Sequence, residues 1–580
     1  MEKEKLDIIR HSTSHILAYA VKELFKDVKF GIGPTIDDGF YYDFDLNGET
    51  FSLEDLDKIE QKMKEIIKKN LEFNKKEVKI EEAENKLKDQ PYKLELVEDL
   101  KNQGEKKVSF YQVGDFEDLC RGPHVSSTKE LGNFKLLRVA GAYWKGSEKN
   151  AMLQRIYGTA FGTKEELAEY LKMLQEAEKR DHNKLGKELG LFITSDLIGQ
   201  GLPLLTPKGS IIKQILQRWI EDEEKKRGYQ LTMTPYLAKS DLYKVSGHWD
   251  HYRDGMFVLD ASGEEMALRP MTCPFQFQIY KAEKRSYRDL PIRYNETSTL
   301  FRNESSGEMH GLIRLRQFTL SEGHLICRMD QLEEEFEGVL DLIQYILKTL
   351  GLSDFWYRFS KWDPKNNKGK YIDNPKAWEQ SEKTLKKILD KNKMKYEEAE
   401  GEAAFYGPKL DIQMKNVFGK EDTIITVQID FALPEKFDMA YIDEKGQEVR
   451  PIVIHRSSIG AYERTMALLI ERYAGAFPTW LSPNQVKIIP VSEKFNDYGI
   501  KVKEIFEKNN IRVELDDSNE SLGKRIRNAE KEKTPYILVV GEKEKSEDTV
   551  SVRKRGVGDL GAKKAGEFVK EILEEIKNRE

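Results

Sequence analysis

Between residues 190 and 480 the apolar residues recur in β-like runs broken by Gly and Pro. That pattern commits about half of the chain to a large antiparallel sheet with helical insertions. LPIRYNETSTLFRNE, HGLIRLRQFTL, DTIITVQIDFALP and VRPIVIHRSS are its clearest strand runs. The pattern stops at the breaker LSPN, residues 481–484. Strand and helix alternate after it: VKIIPVS, a helix to about Asn509, IRVELDD, a helix to about Glu532, YILVVGE, TVSVRKR and a last helix. Such alternation builds a small α/β domain. Ahead of the sheet, helical periods from Ile8 to Leu24 and from Leu53 to Asn70 mix with the short runs VSFYQV and KLLRVAG, an α+β pattern. A charged helical stretch from Thr163 to Leu189 joins the two regions. The expected division is an α+β domain at 1–162, a helical linker at 163–181, an antiparallel-sheet domain at 182–480 and a mixed-sheet α/β domain at 481–580. A chain of 580 residues needs three or four cores in any case.

Composition narrows the function classes. Lys and Arg number 95 against 101 Asp and Glu, so any nucleic-acid contact must use a local basic surface. Three cysteines far apart in sequence make no disulfide framework, which favours a reducing compartment. The start, MEKEKLDIIRHSTSH, lacks an apolar secretory core, and no run approaches the roughly 20 apolar residues that cross a bilayer. A cytoplasmic protein without a membrane partner is expected.

Two nucleotide signatures fail. Gly556, Gly558 and Gly561 form a GxGxxG, but one helix then ends the chain, with no second strand to carry the ribose-binding acid. No Walker-type phosphate loop occurs, so ATP must be held another way. Three constellations carry chemistry instead. His11 and His15, four apart, share a helical face, and Ser12 stands where a zinc protease needs Glu. Asp118, Cys120 and His124 repeat a four-residue spacing across a Gly122-Pro123 turn. Together these read as a zinc site or as a polar acid/base pocket, and spacing leaves both open. Arg302, Glu304, Arg314 and Phe318 lie on a hairpin with arginines at its start and return. Guanidinium groups bind phosphate bidentately, Glu304 can accept from an adenine amine, and Phe318 can stack on the base. Cys273, His324 and His455 are soft ligands that follow or lie in β-like runs of the sheet region, with no local spacing rule to unite them. Each alone reads as a buried thiol or a core histidine.

RHSTSHILAYAVKELF, IGPTIDDGFYYDFD, DLCRGPH and VAGAYWKG resemble the editing domain of bacterial-type threonyl-tRNA synthetases. The arginine hairpin resembles motif 2 of class II aminoacyl-tRNA synthetases. Ile459-Gly460 through Arg464 resembles motif 3, and the stretch from Trp219 to Thr234-Pro235 resembles the dimer-forming motif 1. The resemblance implies a class II antiparallel-sheet catalytic domain, an editing domain and an anticodon-binding domain. It implies ATP with Mg2+, L-threonine and tRNA(Thr) as substrates, and a homodimer through the catalytic domain. Cys273, His324 and His455 match the ligands of one zinc per subunit, with a position left open for threonine. Glu322, Tyr406 and Gln428 match the amino-acid pocket; Lys409 and Arg464 match positions near the adenylate and ATP. His11, His15, Cys120 and His124, with Asp118 and Lys93, match a pocket that hydrolyses misattached serine without an obligate metal. Asn519, Glu544 and Arg553 match base-reading positions, and Lys524, Arg525, Arg527, Lys554 and Arg555 are candidate phosphate contacts.

A zinc that engages the substrate hydroxyl rejects valine strongly. Serine loses only a methyl, worth roughly 1–3 kcal/mol, so a second, hydrolytic site is needed. The two constellations make sense of each other. The sequence also departs from the family. A form without the ubiquitin-like domain common at the N-terminus is expected, with tRNA affinity modified by its absence and activity kept. Phe275-Gln276 replaces the usual Gly-His after the first ligand, and Leu320 to Gly323 replaces Gln-Asp-Asp-Ala before the second. The changes near Cys273 and His324 keep open an enzyme with shifted amino-acid choice. A non-catalytic tRNA-binding paralogue is the other alternative, against which the retained arginines and ligands argue.

Overall fold

The structure is a computed structural model that describes residues 2–147, 149–365 and 371–579. The chain divides into two compact units, residues 1–175 and 176–580.

In the first unit, α1 (Glu2–Leu24) buries Ile16, Leu17, Ala20 and Val21 against a sheet. The sheet runs Lys29–Phe30, β1 (Gly39–Asp45), β6 (Met152–Ala160), β5 (Phe134–Tyr143), all antiparallel. Phe40, Tyr42 and Phe44 alternate inward on β1 and make its core face. The second helix, α2 (Leu53–Lys68), starts in a capping box between Ser52 and Asp55. It buries Leu56, Ile59, Met63 and Ile66 at helical spacing. A smaller antiparallel sheet joins β2 (Phe73–Lys79), β3 (Lys107–Val113) and β4 (Phe116–Leu119). Between β2 and β3 lies the helix α3 (Pro91–Asn102), with Pro91 in its first turn.

The second unit is built on the predicted sheet. Its eight strands run β7 (Gln230–Leu231), β8 (Ile292–Phe301), β9 (Gln317–Cys327), β14 (Ile452–Ala461), β13 (Glu421–Asp430), β12 (Lys409–Lys415), β10 (Phe355–Lys361), β11 (Tyr396–Glu400). Only the edge pairs β7–β8 and β10–β11 are parallel. The helix α4 (Pro207–Lys226) precedes β7, and α5 (Cys273–Lys281) precedes β8. Two more, α6 (Leu332–Thr349) and α7 (Tyr462–Tyr473), pack into the main core with the sheet. The central strand β14 buries nearly every residue, among them His455, Arg456, Ser457 and Ser458. Polar groups in the middle of a sheet need partners, and they mark where chemistry is concentrated. A five-stranded mixed sheet follows: β16 (Val513–Leu515), β15 (Val486–Pro490), β17 (Tyr536–Val540), β18 (Thr549–Lys554), β19 (Gly558–Lys564), closed by α8 (Ala565–Asn578).

Four expectations change in detail. The charged helix breaks at Asp181, whose carboxylate caps a new helix, His182–Glu188, by accepting from Asn183 N–H. The arginine hairpin is β8–β9, but residues 302–316 form a long loop, and the strand expected from His310 starts at Gln317. Cys273 opens a helix and lies outside the sheet. The GxGxxG belongs to a β-hairpin: Gly556 is in the turn and Gly558 and Gly561 lie on β19, a strand the alternation did not reveal. Among the described residues no helix is long and apolar enough to cross a membrane.

Candidate functional site

A cavity of about 770 Å³ opens over the faces of β9, β13 and β14. Its wall carries Arg302, Glu304, Arg314 and Phe318 from the β8–β9 connection, and Arg464 from α7. Arg464 donates to the carbonyls of Ile313 at 3.1 Å and Thr423 at 2.5 Å, and burial lowers its pKa. The guanidinium of Arg302 lies 5.1 Å from the Phe318 ring centre. Glu304 pairs with Arg314 at 3.1 Å. Three arginines and an aromatic face thus converge on one wall, a set that suits a purine nucleotide.

Deeper in the cavity Tyr406 donates to Gln428, and its ring lies 5.0 Å from that of His455. The loop bearing Tyr406 is pressed onto β13: a Cβ at Gly407 would stand 1.8 Å from the Ile429 carbonyl, so only glycine fits. Glu322 lines the cavity with one oxygen accepting from Thr272 N–H at 3.2 Å, and burial raises its pKa. Lys409 is not on the wall; it pairs with Asp411 at 2.7 Å, at the start of β12 opposite Gln428.

The three soft ligands meet at the back of this cavity. His324 on β9 is directly opposite His455 on β14, and α5 brings Cys273 to them. Their ligand atoms all lie within 4.8 Å of one another, and all three residues are buried. His455 Nε2 bonds Asp430 at 2.8 Å, and His324 Nδ1 meets the Gln276 amide oxygen at 2.5 Å. Each ring so held keeps one nitrogen for another ligand. His324 Nε2 is buried with no hydrogen-bond partner. Burial drives the His324 pKa well down and the Cys273 pKa well up, so both are neutral unless a cation enters. An orphaned imidazole nitrogen beside a thiol and a second histidine is a donor set that fits Zn2+.

In the first unit α1 places His11 and His15 one turn apart, facing the Cys120–His124 turn. Cys120 Sγ lies 3.2 Å from His11 Nε2 and 3.2 Å from His124 Nε2. The outer nitrogens are held by the Pro123 carbonyl and the Ser12 hydroxyl, each at 3.2 Å. Lys93 pairs with Asp118 at 2.7 Å, both nearly buried, and Tyr42 donates to the same carboxylate. Burial lowers the pKa of His15 to about 3 and of His124 to about 2, and raises that of Cys120 to about 11. The six residues expected to act together are therefore one cluster: neutral imidazoles and a thiol beside a buried ion pair.

Residues 245–473 match the tRNA synthetase class II core domain (G, H, P, S and T), and residues 485–575 match the anticodon binding domain. Residues 108–157 match the threonyl and alanyl tRNA synthetase second additional domain. The threonine--tRNA ligase of Clostridium botulinum (strain Eklund 17B / Type B) is 61% identical over 583 residues, covering 100% of this chain and 90% of that protein. That of Halalkalibacterium halodurans is 49% identical over 99% of this chain and 89% of the relative. The crystal structure of the RNA binding domain of threonyl-tRNA synthetase from Cryptosporidium parvum Iowa II aligns at a TM-score of 0.64 and 32% identity, over 68% of this chain and 98% of that one.

The chain belongs to the threonine-tRNA ligase family.

The candidate base-reading positions lie on the C-terminal sheet domain. Asn519 is in an exposed loop, Glu544 accepts from Gly541 N–H at 2.9 Å, and Arg553 is on β18. The basic run beside them has mostly in-chain partners. Arg525 donates to the Asp516 carbonyl, Lys554 pairs with Glu575, and Arg555 donates to the carbonyls of Lys533, Ala476 and Phe477. Lys524 pairs with Glu520 at 2.7 Å, while Arg527 takes no ion pair among the described residues. Sequence reasoning missed His248, Arg456, Gln276 and Asp430. His248 is buried at the cavity wall, its pKa lowered to about 3 by burial, with Nδ1 on the Ser246 hydroxyl at 2.8 Å. Arg456 is fully buried against Glu224 at 2.6 Å and also lines the cavity. No local motif signals any of the four; Gln276 alone stood out, as an unusual neighbour of Cys273.

Proposed function

We infer that this chain activates L-threonine with ATP and Mg2+ and transfers it to tRNA(Thr), and that its first unit hydrolyses Ser-tRNA(Thr). The observation that carries the reading is the meeting of Cys273, His324 and His455 at the back of the cavity whose wall holds Arg302, Glu304, Phe318 and Arg464. In the first step the threonine carboxylate attacks the α-phosphate and pyrophosphate leaves. Arg302 and Arg464 face that phosphate and neutralise the charge gathering on its oxygens. Phe318 stacks on adenine and Glu304 accepts from its amine. In the second step a ribose hydroxyl of the tRNA end attacks the acyl carbon and AMP leaves. Cys273, His324 and His455 would hold one zinc per subunit, which would supply a Lewis-acidic position for the amine and hydroxyl of threonine. Glu322 and the Tyr406–Gln428 pair shape the rest of that pocket.

The hydrolytic site is the cluster His11, His15, Lys93, Asp118, Cys120 and His124, which positions water for attack on a seryl ester. The parts are an editing domain at 1–162, a linker at 163–181, a catalytic domain at 182–480 and an anticodon-binding domain at 481–580. Two catalytic domains pair through the region of motif 1, where Leu231, Met233 and Tyr236 are exposed. Trp219 of that region packs on Trp480 inside the chain.

The deciding experiment is ATP–pyrophosphate exchange across a panel of amino acids. Exchange with threonine and none with valine is expected; exchange with another amino acid alone would replace this reading by one of shifted choice. For the first unit, the double variant His11→Ala, His15→Ala should lose Ser-tRNA(Thr) deacylation by at least about 100-fold, the range of positioned acid/base groups. Undiminished deacylation would remove the assignment.

A further inference from the structure

Gln276 lies in the first turn of α5, three residues after Cys273, and is fully buried. Its amide turns two different atoms to two different neighbours. Nε2 donates to Thr232 Oγ1 at 2.7 Å, and Oε1 meets His324 Nδ1 at 2.5 Å. The direction of every proton in this chain is set at its far end. Thr232 Oγ1 is 3.1 Å from the Asn295 carbonyl and 3.5 Å from the Glu296 carboxylate, and both only accept. The hydroxyl therefore donates outward and accepts from the Gln276 NH2 group. That turns the amide oxygen to His324, so Nδ1 carries the ring proton and Nε2 keeps a lone pair. This Nε2 is the buried atom with no hydrogen-bond partner; its nearest carboxylate is Glu322 at 3.7 Å, and His324 brings a ring nitrogen within 4.8 Å of the ligand atoms of Cys273 and His455.

We propose that Gln276 is a positioning residue for the metal site: its amide, oriented by Thr232, fixes the tautomer and ring angle of His324 so that Nε2 is presented to zinc. The inference rests on the reading of Cys273, His324 and His455 as a zinc site. His455 is set the same way from its other side, by Asp430 at 2.8 Å. An amide gives orientation without adding negative charge to a pocket that already holds Asp430, Glu322 and, with metal bound, the Cys273 thiolate. This also gives a physical reason for a residue that is unusual beside the first ligand.

The test compares the whole protein with Gln276→Met, which keeps length and loses the acceptor, and Gln276→Glu, which keeps an acceptor oxygen. The readouts are zinc retention against a graded chelator and the absorption bands of the Co2+-loaded form. A 10- to 100-fold weaker hold on zinc is expected for Gln276→Met, the usual cost of losing such a partner, with shifted cobalt bands. Threonine KM should rise while ATP KM stays. Gln276→Glu should stay within a few-fold of the parent. Thr232→Val, which frees the amide to flip, should weaken zinc in the same direction by a smaller factor. A parent protein that takes up no zinc overturns both this proposal and the zinc reading. A parent that holds zinc while Gln276→Met holds it equally, with unchanged bands, overturns this proposal alone. Should Gln276→Met not fold, undiminished zinc affinity in Thr232→Val overturns it in the same way.

Discussion

His15 and His124 have given up their water to the aromatic walls of the first unit, Phe73, Tyr111 and Phe116 among them. With pKa values lowered to about 3 and about 2, both stay neutral in the folded chain wherever an exposed histidine would begin to charge. The unfolded chain has no such restraint and takes up protons near pH 6.5. Stability of the first unit therefore rises with pH between about 3 and 6.5 and falls as the solution is acidified through that window. Each histidine contributes about 1.4 kcal/mol per pH unit, or about 4 kcal/mol for the two between pH 6.5 and 5 as an upper bound. Trp144 is the one tryptophan in residues 1–175, so its 19F-labelled signal during urea unfolding reports this unit. The urea midpoint should drop from pH 7 to pH 5, and His15→Gln should remove about half of the drop. A midpoint indifferent to pH would mean that these rings are hydrated. At this scale the sequence is legible where a residue type is rare and reactive: His11, His15, Cys120 and His124 stand out by their own spacing, whereas Lys93 and the grouping of Cys273, His324 and His455 come only from the family resemblance. Residues that act by touching the back of another side chain, Asp430 on His455 and Gln276 on His324, leave no spacing or periodicity to read.

At the scale of elements, the edge between β9 and β14 decides where Arg464 points. Leu320 pairs with Ala461 and Glu322 with Ser457, so β14 carries extra residues at this place and bulges before α7 begins. Gly460 sits in the bulge with φ of +77°, and a Cβ there would stand 2.1 Å from the Ile424 carbonyl. Backbone cannot yield as a side chain can. Gly460→Ala combines a left-handed residue with overpacking, and its cost should be about 2–5 kcal/mol. Because the bulge aims α7, ATP KM should rise in whatever fraction stays folded, and thermal melting with pyrophosphate exchange would measure both. A variant as stable as the parent would show that β13 can move aside. The runs that alternate cleanly, such as IRYNETSTLF and VSFYQV, were readable because one face of each is buried. The strand Gly558–Lys564 was not, because it is a mostly exposed edge built of Gly, Asp and Lys. The bulge was invisible for another reason: register depends on strands more than a hundred residues apart, and a single sequence does not encode that pairing locally.

For the second unit as a whole, the junction read from the sequence as a breaker is in fact part of the core: Trp480, Leu481 and Ser482 are buried. The C-terminal domain holds this segment by its backbone. Arg555 donates to the carbonyls of Ala476 and Phe477, and Arg512 to those of Trp480 and Ser482. Glu575 accepts from Thr479, Tyr536 and Lys554. Pro and Ser at 482–483 announce a boundary, but the partners that lock it come from residues dozens of positions later, so docking was not legible. Arg555 was read as a phosphate contact and its geometry is that of a clamp. The two roles separate by substitution. Lysine keeps a cation for phosphate and loses the planar fork that reaches several carbonyls at once. Arg555→Lys and Arg555→Ala should therefore behave alike, each weakening the docking by roughly 1.5–3 kcal/mol for the charge-assisted bonds lost. Pyrophosphate exchange, which needs only the cavity, should be unchanged. Aminoacylation needs the tRNA held at its anticodon and its 3′ end together, so its kcat/KM for tRNA should fall about 10- to 100-fold. If Arg555→Lys aminoacylates like the parent while Arg555→Ala does not, the charge matters more than the fork and the phosphate role returns. Equal loss in exchange and aminoacylation would mean instead that the clamp supports the catalytic sheet itself.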